Sequence, residues 1–104
     1  MEHFNKLTPT DTERLALLME ECGEVQQIIG KILRHGYESC HPDDKRKRTN
    51  RMLLEKELGH VEFAIRFMDE NEDIDIDQIT NFMKLKNMMI GQYLHHQEFS
   101  GVER

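Results

Sequence analysis

No apolar run in this sequence of 104 residues approaches the ~20 residues that a helix needs to cross a bilayer, which argues against an integral helical membrane protein. Residues 1–6 lack the apolar centre of a secretion signal, so the cytoplasm is the expected location. Cysteine is scarce. Cys22 and Cys40 lie far apart and neither has a partner at Cys-x-x-Cys spacing, which speaks against a cysteine zinc site and fits reduced thiols. Segments of strand period are missing, as are internal repeats and low-complexity tracts. Positive charge is in the minority, with 14 Lys and Arg against 20 Asp and Glu and a net charge of −6. That sign disfavours a broad nucleic-acid-binding surface, and no stable nucleic-acid binding is expected. The cations are nevertheless gathered: Lys45, Arg46, Lys47, Arg48 and Arg51 form one run. Such a run reads either as a solvated loop or helix start, or as a basic arm near a phosphate-bearing ligand.

What is present is helical periodicity. Hydrophobic residues make up 38% and charged residues 33%, the balance of one soluble folded domain with a modest core. Residues 1–9 read as an irregular lead-in, 10–94 as the domain and 95–104 as a tail. Thr10 or Asp11 is placed to cap a first helix, with Glu13 completing a capping box onto Thr10, and His35-Gly36 ends it. Its apolar stripe reads Leu15, Leu18, Cys22, Val25, Ile29 and Ile32. A second helix, starting between Pro42 and Thr49, carries Leu54, Leu58, Val61, Ala64, Ile65 and Met68. Asp75 or Asp77 caps a third, with Ile76, Ile79, Phe82, Met83, Met89, Ile90 and Tyr93. The expectation is an all-α protein of three main helices. Three such helices leave apolar surface uncovered, and the seven methionines suit an adaptable interface. A homodimer or homotetramer that completes four-helix packing between chains is therefore expected.

Acidic residues interrupt these apolar faces. Glu20, Glu21 and Glu24 follow one another on the first helix, and Glu57 and His60 on the second. Residues three apart share a helix face, with Cβ atoms roughly 5–6 Å apart. At about 100° per residue, Glu21 falls at the edge of the apolar stripe and Glu24 about 60° further round, flanked by Leu17 and Ile28, while Glu20 points outward. Glu57 falls between Val61 and Ala64, inside the apolar arc, with His60 roughly 60° beyond. An isolated carboxylate there would be costly. Three remedies are open: an ion pair, with Lys86 as one partner, protonation, or a metal. An oxygen-rich set suits Mg²⁺ or Mn²⁺, and a His ligand favours Mn²⁺ or a softer ion.

At these residues the sequence resembles the MazG-type all-α nucleoside triphosphate pyrophosphohydrolases, whose pattern is E-E-x-x-E on one helix and E-x-x-D on the next. Glu20-Glu21-Cys22-Gly23-Glu24 matches the first part, and Leu54-Glu55-Lys56-Glu57-Leu58-Gly59-His60-Val61 the second, with His60 where the family has an acid. Asn81-Phe82-Met83-Lys84-Leu85 matches the Asn-x-x-Lys-Leu often found on a third helix. The similarity spans roughly residues 10–90. The segment between the first two motifs is longer than usual, and Asn87 or Met88 replaces a further basic residue.

The resemblance implies hydrolysis of an NTP or dNTP to the monophosphate and pyrophosphate. Glu21, Glu24, Glu57 and His60 would hold Mg²⁺ or Mn²⁺, and Glu20 or Glu21 would orient the attacking water. Asn81 and Lys84, with Lys31 and Arg34 as further candidates, would bind substrate. Two alternatives stand beside it. One is a non-catalytic helical relative that binds a nucleotide or a protein. The other is an enzyme resembling phosphoribosyl-ATP pyrophosphohydrolase.

Overall fold

The computed structural model describes residues 4–98 and is all-α, with three helices and no strand element among the described residues. The helices are α1 (Pro9–His35), α2 (Asn50–Glu70) and α3 (Ile76–Met89), and a short 3₁₀ turn (Ile90–Gln92) follows α3. No described helix is long and apolar enough to cross a membrane. The chain divides into two compact units between Asp73 and Ile74.

In the first unit α1 begins earlier than its periodicity suggests. Thr8, not Thr10 or Asp11, is the N-cap. Its Oγ1 accepts the Asp11 N–H at 3.1 Å, and Asp11 Oδ2 accepts the Thr8 N–H at 3.0 Å. The box therefore runs from Thr8 to Asp11 and does not use Glu13. Pro9 belongs inside the helix, because the first helical position needs no N–H and favours the proline φ. At the other end Gly36 adopts φ +88° and donates its N–H to the Ile32 carbonyl at 2.7 Å. This left-handed backbone favours glycine, which is why the helix stops there.

Residues 36–49 form a fastened strap. Cys40 and Thr49 make an isolated antiparallel bridge. The Asn50 N–H donates to Ser39 O at 2.8 Å, the Arg51 N–H to Tyr37 O at 2.9 Å, and the Asn50 side-chain amide to Gly36 O at 3.1 Å. Asp44 organises the basic run, accepting the Arg46 and Arg48 backbone N–H groups and the Arg48 Nε–H. Because Asp44 is committed to this turn, α2 starts only at Asn50, where Thr49 Oγ1 accepts the Met52 N–H. Arg51 pairs with Glu38 at 2.7 Å and stacks 4.4 Å from the Tyr37 ring centroid. Part of the run is thus used for structure, while Lys45, Arg46 and Lys47 are exposed.

Helices α1 and α2 pack antiparallel along their length. Gly36 meets Asn50 at one end, and at the other Arg14 holds Asp73 through two bonds of 2.6 and 3.0 Å. Ile28, Ala64 and Met68 are buried at the contact, along with the polar Asn50 and Glu57. The facing surface of α1 centres on Leu17, Leu18, Glu21, Glu24, Val25, Ile28 and Ile32. Leu15, Cys22 and Ile29, expected in the packing stripe, are exposed, as is Leu58 on α2. The apolar arc of α1 is broader than one helix contact, and the α2 contact takes the flank that includes the two glutamates.

In the second unit Asp75 caps α3 by accepting the Asp77 N–H at 2.9 Å. The Thr80 hydroxyl donates to Ile76 O. Phe82, Met83, Leu85, Met88 and Met89 are exposed along this helix. The expected tail begins at residue 95, and residues 99–104 of it lie outside the described residues, as do residues 1–3 of the lead-in.

Candidate metal centre

The α1–α2 contact gathers Glu21, Glu24, Glu57 and His60, each offering one oxygen or nitrogen, with these atoms all within 4.8 Å of one another. The helical repeat explains the grouping. Glu21 and Glu24 stand one turn apart on α1, Glu57 and His60 one turn apart on α2, and lengthwise packing brings the two turns into register. The glutamates are largely enclosed while His60 is half exposed, so the cluster has a protein side and a solvent side.

The charges here are poorly compensated. Glu21 Oε2 and Glu57 Oε2 are both buried without a hydrogen-bond partner. The nearest positive or polar hydrogens belong to His60, whose Nδ1 lies 3.3 Å from Glu21 Oε2 and 3.4 Å from Glu57 Oε2. Lys56 Nζ stands 3.4 Å from the other Glu57 oxygen. Lys56 is thus the cation paired with Glu57, with the His60 ring beside it. Glu24 and Glu57 face each other across the contact. The neighbouring Glu57 carboxylate, helped by desolvation and by the charges of Glu21 and Glu20, raises Glu24 to a pKa of about 7. The hydrogen bond from Glu24, followed by Lys56 and His60, pulls Glu57 below its ordinary value against the opposing effect of burial. Two carboxylates that cannot both ionise cheaply are the expected result of like charges in close contact.

The donor set fits a divalent cation. It supplies three carboxylates and one imidazole, and two of its oxygens are orphaned and buried. Hard oxygen donors suit Mg²⁺ and Mn²⁺, and the nitrogen shifts the preference toward Mn²⁺.

A cavity of about 520 Å³ opens onto this cluster, lined by all four residues together with Gln27, Ile28, Lys31, Leu53 and Lys56. Lys31 is thus brought to the carboxylates. Arg34 is not; it lines a second cavity of about 440 Å³ near the strap. Glu20 is exposed and lines a third hollow with Glu13, Arg14, Ala16, Leu17 and Phe67. Its influence on the cluster is electrostatic, through Glu24. Asn81 and Lys84 stand on α3 in the second unit, both exposed and three residues apart on one helix face. Sequence reasoning missed Lys56 and Gln27. Their signals were available: Lys56 adjoins Glu57, and Gln27 lies three residues beyond Glu24 on the same face.

No protein-family model, no curated protein and no solved structure matches this chain.

Proposed function

We propose that this chain is a divalent-metal-dependent nucleoside triphosphate pyrophosphohydrolase that releases the monophosphate and pyrophosphate. The observation that carries the proposal is the convergence of Glu21, Glu24, Glu57 and His60 beside an open cavity. The order of the three motifs supplies the substrate class. Glu21, Glu24 and Glu57 would hold the ion through oxygen and His60 through a ring nitrogen. A bound Mg²⁺ or Mn²⁺ supplies phosphate charge neutralisation and a more acidic water.

The remaining work belongs to the chain's own side chains. Glu21 lines the cavity and is a candidate proton acceptor at Oε2, whereas Glu20 lines a neighbouring hollow and adds negative potential. Lys31 and Lys56 offer ammonium groups to phosphate oxygens in the same cavity. Asn81 and Lys84 keep their proposed substrate-binding role through the motif they share. The exposed Leu15, Cys22 and Ile29 support a homodimer or homotetramer in which a second copy covers this flank of α1.

The test is release of pyrophosphate from a panel of NTPs, dNTPs and phosphoribosyl-ATP with Mn²⁺ or Mg²⁺. Turnover is expected to vanish in Glu57→Gln with helicity intact. Full activity in that variant refutes the site.

One observation favours a second reading, a non-catalytic binding relative. His60 Nδ1 sits within 3.4 Å of two carboxylates, so a protonated imidazole would itself serve as the cation of the cluster. His60→Asp separates the two readings. A gain of hydrolysis from an inactive parent supports the second, and a fall from an active parent supports the first.

A further inference from the structure

The cavity beside the strap has a composition unlike the rest of the molecule. Its lining comprises Lys31, Arg34, His35, Ser39, Cys40, His41, Pro42, Asn50 and Leu53. No carboxylate is among them, in a chain with 20 acidic residues and a net charge of −6. Two cations and two imidazoles face a space of about 440 Å³. Lys31 and Leu53 line both this cavity and the one holding the carboxylate cluster. The two hollows therefore adjoin, one carrying the carboxylates and the other cations and imidazoles. Along α1 the spacing is short: Lys31 lies about 10 Å beyond Glu24 and Arg34 about 15 Å, at 1.5 Å per residue.

The hydrogen bonds around the cavity restrict what it can attract. The N-terminus of α2, which meets the end of α1 here, is already satisfied. The Asn50, Arg51 and Met52 N–H groups are committed to Ser39 O, Tyr37 O and Thr49 Oγ1. The attraction therefore comes from side chains and not from a free helix N-terminus. His41 Nδ1 accepts the Asp43 backbone N–H at 3.1 Å, so in the neutral ring the proton sits on Nε2, which is left as a donor. Lys31 and Arg34 are exposed in α1, and neither has an acidic partner among the recorded ion pairs of the described residues. Lys31 and Arg34 thus offer donors with no acid paired to them, and His41, with Asp43 Oδ2 3.9 Å from its Nδ1, offers its Nε2–H, a set that recognises phosphate oxygens.

From this arrangement we infer that the strap-side cavity is a polyphosphate seat, in which Lys31, Arg34 and the His41 Nε2–H receive the phosphoryl groups that extend beyond the carboxylate cluster. The inference rests on the proposed function for the identity of the nucleotide, but not for the seat itself. The ligand chemistry is a phosphate chain, either that of a bound nucleotide or free pyrophosphate.

The experiment uses the full chain in EDTA, where no metal bridges ligand to carboxylates, with inorganic pyrophosphate as the probe. Binding is followed by calorimetry and by ¹⁵N-edited spectra of the histidine rings. Pyrophosphate is expected to bind with shifts in the His35 and His41 resonances, while His60 moves little. Lys31→Gln combined with Arg34→Gln should weaken binding about tenfold or more, the loss of at least one charge-assisted hydrogen bond, without changing the melting temperature. Shifts confined to His60, absence of binding, or unchanged affinity in the double variant would each overturn the inference. So would a phosphate-free nucleoside that moves His35 and His41 as pyrophosphate does, because the cavity would then seat the base. Pyrophosphate binding in EDTA combined with no Mn²⁺ uptake would leave the seat standing and remove the metal-dependent hydrolase, so the two proposals fail separately.

Discussion

Glu57→Gln has opposite expected effects on stability with and without metal. Glu57 is 9% exposed, lies against Glu24 and has a buried oxygen with no hydrogen-bond partner. A polar atom left in that state costs about 1–3 kcal/mol, and a neighbouring like charge adds to it. Glutamine keeps the shape, removes the charge and presents an amide donor to the Glu24 carboxylate. In EDTA at pH 8, above the Glu24 pKa of about 7, both carboxylates of the wild type are charged, and the variant should therefore be the more stable protein, by about 1 kcal/mol, which for a domain of this size is about 4–8 °C in Tm. Excess Mn²⁺ should reverse the order. The wild type gains about 2.7 kcal/mol at a metal concentration of 100 times Kd, while the variant, having lost a ligand, gains far less. Thermal melts followed by circular dichroism, with and without Mn²⁺, give all four values. If the variant is the less stable protein in EDTA, or if Mn²⁺ raises both proteins equally, the account of Glu57 as a residue retained for an ion is wrong.

The pH dependence of the metal-free protein should carry the same signature. Glu24 has a folded pKa of about 7 against an ordinary 4.5, so the folded state binds more protons between those values and stability falls as pH rises through that window. Glu57 is shifted downward, so its contribution is present above its ordinary value and is lost as pH falls further. Urea melts in EDTA at pH 5, 6, 7 and 8 should show the first slope, and Glu24→Gln should flatten it; equal slopes in both proteins would contradict the assignment. Uptake of Mn²⁺ at pH 6.5 should release a proton from the Glu24–Glu57 pair, seen as a calorimetric enthalpy that varies with buffer ionisation heat and loses that dependence in Glu24→Gln. Thr8→Ala removes the capping box of α1 and should cost about 1 kcal/mol, whereas Thr10→Ala removes only a hydroxyl bond to Thr8 Oγ1 at 3.1 Å and should cost less. A larger loss at Thr10 would place the cap where periodicity alone puts it.

The three helices were legible because each combines a 3.6-residue apolar period with a stop or start signal, such as Gly36 or Asp75. The start of α1 was not, because Pro9 reads as a breaker unless Thr8 and Asp11 are recognised as the two halves of one box. The glutamates stood out on the wheel as acids against an apolar arc. Which flank of that arc meets α2 depends on the partner helix, and a single-helix projection contains no such information. Leu15, Cys22 and Ile29 therefore seemed the packing stripe and are exposed, while Glu21 and Glu24 occupy the contact. The strap-side cavity was invisible for a related reason. Its walls come from residues 31–35, 39–42 and 50–53, which only the closure of the loop brings together.

That closure has a consequence for recognition. The segment between α1 and α2 is tied down at Gly36, Tyr37, Ser39 and Cys40 by the first residues of α2 and its cap, and its middle is wound around Asp44. The conformational entropy of a long connection is thus given up when the hairpin folds, not when a guest arrives. Whatever enters beside His41 meets standing walls, and its affinity need not be diminished by the work of assembling them.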